Sequence, residues 1–545
     1  MSPFEGFWKY IISVVLITGF IWTYNQAPFL FENPRFIISS DDIKYNDYTP
    51  FNRPISLENA SAVFNLINGV AANKDQNIYP NGVAFLPAYI SEGTMLYHGN
   101  NHGEIPAGVG WTALDYEFSY AFIGLTSHKK QQASQLQHVI EAEGLYPGGS
   151  HKPPAKDHNT MLAFEVVKPL NKLIFFDGAS GAKGSGGELD TQMILGNVPK
   201  GEDESEYSFV ESVCKWGRSW GLDGLIRVET GFEVIICDMH SPKLKLSSNT
   251  TLEWFENLSG IPNDNTNEIE SILNKFKHTA AYDQKKMGNA HDKRDRRILI
   301  DFKGLSTPLN KTWIHTDPYE RRLIDIPQVL KDEMRKSIEN YLKSDGHADP
   351  FSGTDWQLVS NEIVAKFSDI LQLLSIYLEP LDFENLSDFD LMQVVTNVTV
   401  LTGNFVRRFS EFQLADDKYN QMREAKLKAV YEYAHFHGGL ATESEILIWS
   451  SFIKVTEALV DIMFGFFDVS NKMVVRSIVE KKPLGDLKSQ FQSIKIQFME
   501  LFQLLNWSSF YDCDHKCGLD SVCLTPFALR GARRFPKTLQ CTSYL

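Results

Sequence analysis

The first stretch whose residues could do chemistry is 92–122. In it, His98 ends a short apolar strand directly before Gly99, and a Gly-rich turn leads to a predicted helix that carries Tyr116 and Tyr120. An imidazole exchanges protons near neutral pH, and aromatic rings stack on flat ligands. This spacing predicts a catalytic or ligand-contacting role for these side chains. The alternative is that His98 is a turn residue whose ring is satisfied by backbone groups.

The second such stretch is 173–196. An apolar strand ends at Asp177, and a loop with five glycines follows before Glu188 and Asp190. The loop lacks the Gly-x-x-x-x-Gly-Lys-Ser/Thr pattern of a phosphate-binding loop. The three acids could bind a hard cation or act as a catalytic acid/base pair, whereas the alternative is a surface loop with solvated carboxylates. Neither stretch predicts a particular cofactor or a particular metal ion.

The order of elements in the first stretch resembles the first half of the ADP-ribosyltransferase fold. The strand ends in Leu-Tyr-His-Gly at residues 96–99, and a loop and a Tyr-bearing helix follow. The resemblance implies that His98 contacts a ribose and that Tyr116 or Tyr120 stacks against nicotinamide. It also implies a glutamate on a later strand, for which the candidates are Glu165, Glu229 and Glu233.

The composition limits the class of protein that positions these residues. The chain has 545 residues, of which 43% are hydrophobic, so it can bury a large core and wholesale disorder is excluded. Its 68 acidic residues exceed its 53 Lys and Arg residues, giving a formal net charge of -15. Nucleic acid is therefore not an expected partner, because such binding needs a basic surface.

The pattern along the chain predicts two folded parts. Between residues 55 and 240, short apolar runs broken by Gly and Pro predict an α+β domain. Its expected strands are at 83–90, 94–97, 161–167, 172–176 and 231–238, with helices near 57–70, 115–124 and 131–143. Residues 241–297 read as a linker, 298–508 as a mainly helical domain with four or five helices after residue 355, and 509–545 as a cysteine-rich tail.

The N-terminus predicts a membrane anchor. Residues 7–24 contain a single charge, Lys9, and aromatic residues at both ends, which is typical of a transmembrane signal anchor in a lipid bilayer. A cleaved signal peptide is the alternative. Residues 1–6 would be a cytosolic tail and 25–54 a stem. The expected fold class is an α+β luminal domain followed by a mainly helical domain, with one N-terminal transmembrane helix.

Sequons and cysteines favour a luminal, oxidising setting for the body of the chain. Glycosylation is expected at five asparagines: Asn59, Asn249, Asn257, Asn310 and Asn385. Asn397 and Asn506 lie in apolar, helical contexts and are expected to stay unmodified. The six cysteines are expected to form disulfides, with the pairing left open: Cys214, Cys237, Cys513, Cys517, Cys523 and Cys541. A zinc site of Cys513, Cys517, Cys523 and His515 is the weaker alternative.

Two further patterns are expected to be structural. The Asp-x-Asp triplets at 388–390 and 512–514 are typical of glycosyltransferases, but the first opens a predicted helix and the second encloses a cysteine. Arg294, Arg296 and Arg297 form a small basic patch that could meet a phosphate or a headgroup. The interleaved Asp295 favours a solvated loop instead.

Several short sequence segments together resemble those of a widespread group of uncharacterised fungal membrane proteins of the secretory pathway. They are residues 96–99, 176–178, 189–192, 297–302 and 520–526. The resemblance implies location in the endoplasmic reticulum membrane and carries no catalytic residue. Three roles follow as hypotheses: a structural or interaction protein, a luminal transferase acting on a nucleotide-linked or sugar substrate, and a module that binds glycans or lipids.

Overall fold

The computed structural model describes sixteen segments of the chain. They are residues 54–72, 84–100, 102–119, 160–179, 188–198, 206–229, 231–251, 294–308, 326–344, 348–410, 418–434, 440, 442–513, 515–518, 521–524 and 540–543. The chain divides into two compact units, Met1–Asn52 with Phe409–Ala429, and Arg53–Arg408 with Val430–Leu545. The second unit contains the sheet, the tail and all but one of the helices described below.

A mixed nine-stranded sheet forms the first half of the second unit. Its strands are β1 Phe85–Ile90, β2 Met95–Asn100, β3 Gly110–Ala113, β4 Thr160–Val166, β5 Leu170–Ala179, β6 Gly224–Glu229, β7 Gly231–Ile236, β8 Leu244–Thr251 and β9 Leu299–Ile300. Their order is β8-β4-β2-β3-β7-β6-β5-β1-β9. β5 and β6 run parallel, whereas the other neighbouring pairs run antiparallel.

Three helices build the core on one face of this sheet. They are α3 Glu188–Gly196, α4 Glu206–Gly217 and α5 Gln328–Ser344, and two further helices, α1 Leu57–Gly69 and α2 Tyr116–Ser119, precede them. The crossover from β5 to β6 carries α3 and α4, because parallel strands need a long connection. Apolar residues of α3, α4 and α5 pack with those of the sheet, including Leu195, Val210 and Ile338 against Ile174 and Leu225.

The second half of this unit is helical. Its helices are α6 Trp356–Leu378, α7 Asp388–Val406, α9 Glu443–Val474 and α10 Leu487–Leu505, and α8 Lys418–Tyr433 begins in the first unit. Asp355, Ser387 and Thr442 cap the first turns of α6, α7 and α9 by accepting backbone hydrogen bonds. The four or five helices expected after residue 355 are therefore confirmed.

Helix α1 packs with these helices, although it precedes the sheet in the chain. The Phe64 ring lies 5.0 Å from Phe452 and 5.6 Å from Trp507, centroid to centroid. Ser61 Oγ and Asn65 Nδ2 donate to the carbonyl oxygens of Leu504 and Leu505 at 3.1 Å and 2.9 Å. The first helix is therefore part of the helical core.

Most of the predicted elements are present. Each of the five predicted strands overlaps an observed strand, and the helix expected near 57–70 is α1. The helix expected at 131–143 lies outside the described residues. Five strands were missed, β3, β6, β8, β10 and β11. Of these, β8 falls inside the expected linker and pairs along β4 from Leu244 to Thr251. Its mostly exposed residues lack the apolar alternation by which a half-buried strand is recognised.

The expected fold class needs a correction. In the described parts of the chain, no helix has both the length and the apolar composition needed to cross a bilayer. The fold class becomes a mixed α/β architecture with a helical C-terminal region, and the transmembrane signal anchor is removed from it. The anchor prediction was based on the single segment 7–24, which lies outside the described residues, as does nearly all of the expected stem.

All six cysteines form disulfides, as expected. Cys214 pairs with Cys237 and links α4 to the residue after β7. In the tail, Cys513 pairs with Cys523 and Cys517 pairs with Cys541. The tail also forms a two-stranded sheet, β10 Ser521–Leu524 with β11 Gln540–Ser543, in which Cys523 lies opposite Cys541.

Gly224 gives a direct test of the sheet register. A Cβ at Gly224 would lie 2.0 Å from the Ile235 carbonyl oxygen, so Gly224→Ala should lower the free energy of unfolding by about 3 kcal/mol or more, since β6 and β7 would have to separate. Gly465→Ala is the matched control. Gly465 lies inside α9, and a Cβ at this position would be 3.7 Å from the Ile494 side chain, which is an ordinary van der Waals distance. The control should be neutral or stabilising by about 0.5–1 kcal/mol. Equal urea midpoints for the two variants would contradict this register.

Candidate functional site

The candidate site is a cavity of about 190 Å³ at the place where the sheet half meets the helical half of the second unit. Three parts of the chain line it: residues 294–303 around β9, residues 350–355 before α6, and Glu445 in the first turn of α9. Its volume exceeds the roughly 10–15 Å³ that one water needs and is below the roughly 300 Å³ of a drug-sized pocket. The cavity can therefore hold a small metabolite.

Asp301 anchors the wall of the cavity. Its carboxylate accepts hydrogen bonds from the Tyr341 hydroxyl at 2.6 Å and from the backbone N–H groups of Asp349 and Lys303 at 2.7 Å and 3.1 Å. Burial raises the pKa of Asp301, while these hydrogen bonds and the Lys303 charge act in the opposite direction. The carboxylate thus joins β9, α5 and the segment before α6.

Two cations line the cavity and keep donors beyond their bonds to the protein. Arg294 donates from Nη1 to Gln357 Oε1 at 2.7 Å and lies 3.6 Å from an Asp355 oxygen. Lys303 Nζ donates to Ser352 Oγ and lies 3.7 Å from an Asp349 oxygen. A guanidinium has five N–H donors and an ammonium three. Both side chains can therefore also donate to a bound anionic group.

Glu445 brings a negative charge to the same cavity. Only 2% of Glu445 is exposed, and it lies in the first turn of the 32-residue α9. The N-termini of α6 and α9 both reach the cavity, because their cap residue Asp355 and first-turn residue Glu445 line it. The lining thus carries charge of both signs. A positive group in the cavity would face Glu445, and a negative group would face Arg294 and Lys303.

Sequence reasoning missed this cavity and found only part of one wall. The basic patch was recognised, but its members separate in the structure. Arg294 lines the cavity and Arg296 is exposed, while Arg297 pairs with Asp115 and Asp295. Burial alone would lower the pKa of Arg297, but the hydrogen bonds that it donates to these two carboxylates, and their charges, raise it.

His98 lies on β2, and its Nδ1 is 2.6 Å from the Trp111 carbonyl oxygen. Burial lowers the pKa of His98, with a smaller contribution from His102, while the bond to Trp111 raises it. The ring is therefore neutral at pH 7, and Nδ1 carries the proton that it donates to Trp111. This agrees with the interpretation of a histidine satisfied by backbone.

The residues of the transferase hypothesis are partly brought together. Tyr116 opens α2 and its ring lies 5.7 Å from Tyr97, the residue next to His98. Glu233 is held by Arg227 in a buried ion pair, with Nε 2.7 Å from Oε2, and Glu165 lies partly buried on β4. Tyr120 lies outside the described residues. The transferase hypothesis stays a prediction.

The acids of the Gly-rich stretch occupy different settings. Asp177 lies on β5, is 2% exposed and has partners within the fold, so it is not a solvated loop residue. Glu188 and Asp190 lie in the first turn of α3, and the loop between β5 and α3 is outside the described residues. The grouping of these three acids in one site stays a prediction.

The expected glycosylation positions differ in exposure. Asn249 and Asn385 are exposed, and Asn59 is partly buried on α1, while Asn257 and Asn310 lie outside the described residues. Asn397 is also exposed on α7. Asn506 is the C-cap of α10 and accepts a hydrogen bond from the Tyr511 hydroxyl at 2.5 Å. Exposed asparagines can carry a glycan without disturbing the fold.

These features define a two-part protein: a mixed sheet, a helical C-terminal region and a charged cavity where the two meet. Family models match both parts, the YPL277C N-terminal domain at residues 42–149, 127–267 and 263–347, and the YPL277C C-terminal domain at residues 355–481. The chain belongs to this fungal family. The cavity lies at the boundary of the two domains, since residues 350–354 fall between the matched ranges.

Two Saccharomyces cerevisiae proteins are similar to this chain over most of their length. One, described as uncharacterized protein YOR389W, is 29% identical over 584 residues, which cover 94% of this chain and 90% of the relative. The other, described as uncharacterized protein YPL277C, is 32% identical over 463 residues, covering 72% and 92%. No solved structure matches the chain.

The neutral state of His98 predicts a pH dependence. Unfolding returns the imidazole to a pKa near 6.5. As the pH falls, His98 is therefore protonated more readily in the unfolded state than in the folded state. The contribution of His98 to stability is complete above pH 6.5 and falls as the pH drops below it. His98→Asn keeps a donor for Trp111 but does not titrate. The free energy of unfolding should therefore fall less for the variant between pH 7 and 5, and parallel curves from urea titrations would contradict the assignment.

Proposed function

We propose that this protein binds a small zwitterion of amino-acid size in the cavity between Arg294, Lys303 and Glu445, and that it works in the secretory pathway. The observation that carries the binding proposal is the mixed charge of a partly open cavity at the domain boundary. An anionic group would lie against the two cations, and an ammonium group against Glu445.

Charge complementarity favours a zwitterion over a simple anion. Arg294 and Lys303 offer unused donors, and charge-assisted hydrogen bonds to a carboxylate are the stronger kind. Glu445 would repel a ligand that is anionic throughout, because like charges in a partly buried cavity are weakly screened. A ligand with both charges meets both requirements.

Binding is tested by calorimetric titration of the full chain with a panel of free amino acids and with inorganic phosphate. At least one amino acid should bind, and Arg294→Gln and Glu445→Gln should each weaken binding by about tenfold or more, since each removes one charged contact. Lys472→Gln is the matched control, because Lys472 forms an exposed pair with Asp468 on α9. Binding by phosphate alone, or equal affinities in all variants, would overturn the proposal.

A location in the secretory pathway, in the lumen of the endoplasmic reticulum or beyond, is supported by the cysteines. Disulfides persist in oxidising compartments and are rare in the cytosol, and all six cysteines of this chain are paired. The exposed sequon asparagines Asn249 and Asn385 add independent support.

The location is tested on protein from unreduced cell extracts. Thiol-directed labelling should give no signal until a reductant is added, because the six cysteines are paired. Endoglycosidase should increase the gel mobility of the wild type, and Asn249→Gln with Asn385→Gln should reduce that change. Labelled thiols together with no endoglycosidase effect would place the folded chain in a reducing compartment and overturn this part of the proposal.

A further inference from the structure

The cysteine-rich tail gathers four sulfur atoms from two strands and one loop. Cys513 and Cys517 come from the loop after α10, and Cys523 and Cys541 lie opposite each other in the pair β10 and β11. Two disulfides join each loop cysteine to one strand cysteine. The four side chains are therefore held in one place by the fold as well as by the bridges.

The spacing of these sulfurs is close to that of a metal centre. The Sγ atoms of Cys513, Cys517 and Cys523 lie within 4.8 Å of one another. In a tetrahedral zinc centre with Zn–S distances near 2.3 Å, the sulfurs are about 3.8 Å apart. Cys541 is outside this group of three, but its bond to Cys517 keeps its Sγ next to one member of the group. After reduction of the two bridges, the formerly bonded sulfurs have to separate to about 3.8 Å to reach zinc geometry.

The loop pair also has the sequence spacing of zinc ligands. Three residues separate Cys513 from Cys517, within the two to four that are typical of a ligand pair. The second pair comes from facing strands, which directs both side chains to one side of the tail sheet. The four cysteines are partly exposed, so a reductant and a metal ion can reach them.

We infer that the tail is a convertible site, with two disulfides when oxidised and a four-thiolate zinc centre when reduced. Each bridge takes two electrons and two protons from a dithiol, which itself becomes a disulfide. Four thiols result, and zinc binding releases their four protons as the thiolates coordinate the ion. In the described residues, Cys214 and Cys237 form no comparable cluster and stay outside this site.

The test uses the purified full chain, reduced with a phosphine, freed of reductant without oxygen and titrated with Co²⁺. We expect one Co²⁺ per chain, with a sulfur-to-metal charge-transfer band and the visible bands of tetrahedral Co²⁺. Zinc should displace the cobalt. Oxidised protein should show none of these bands, because disulfide sulfurs are not thiolates.

Paired substitutions assign the bands to the tail. Cys214→Ser with Cys237→Ser removes the other bridge and should keep the cobalt spectrum, whereas Cys513→Ser with Cys523→Ser should abolish it. Far-ultraviolet circular dichroism checks that both variants remain folded. If reduced wild-type protein gives no charge-transfer band, or if the band depends on Cys214 and Cys237, the inference is overturned. The result does not depend on ligand binding in the cavity or on the compartment, so its failure is distinct from failure of the proposed function.

Discussion

The buried amide of Gln357 joins α6 to the end of α1 and to Arg294, which precedes β9. Its Nε2 donates to the carbonyl oxygens of Asn68 and Val70 at 3.1 Å and 2.5 Å, and its Oε1 accepts from Arg294 at 2.7 Å. The last carbonyls of a helix have no partner within it, so Gln357 satisfies the end of α1. Because it is only 1% exposed, losing the amide would leave buried polar groups unpaired, at a cost of about 1–3 kcal/mol each.

The same amide positions the cavity. Gln357 holds the Arg294 guanidinium, and Asp301 holds the lining next to β9 through Tyr341 and Asp349. Buried carboxylates and guanidinium groups are costly unless they are bonded, so these interactions fix the charges in position before any ligand binds. A small ligand makes few contacts, so its binding can offset only a small entropy cost of ordering the protein. Preorganisation of the charged groups lowers that cost.

The disulfides have different roles in the two parts of the chain. Cys214–Cys237 crosslinks a helix to the sheet, where an apolar core already packs around it. In its described residues, the tail forms a two-stranded sheet, and an isolated pair of strands is marginally stable in water. The two bridges crosslink this sheet to the loop before it, which makes the state of the tail sensitive to the redox conditions around it.

Local residue patterns in the sequence determined the positions of most strands, the helical character of residues 355–508 and the paired state of the cysteines. The reason is that burial along one element repeats with the period of that element. Only the tertiary structure decided the strand order, the cysteine pairing, the docking of α1 among the later helices and the cavity. Glu445 lies far along the chain from Arg294 and Lys303, and no local pattern records long-range packing. The predicted fold class was wrong in including a transmembrane anchor. That part of the prediction rested on the composition of one segment.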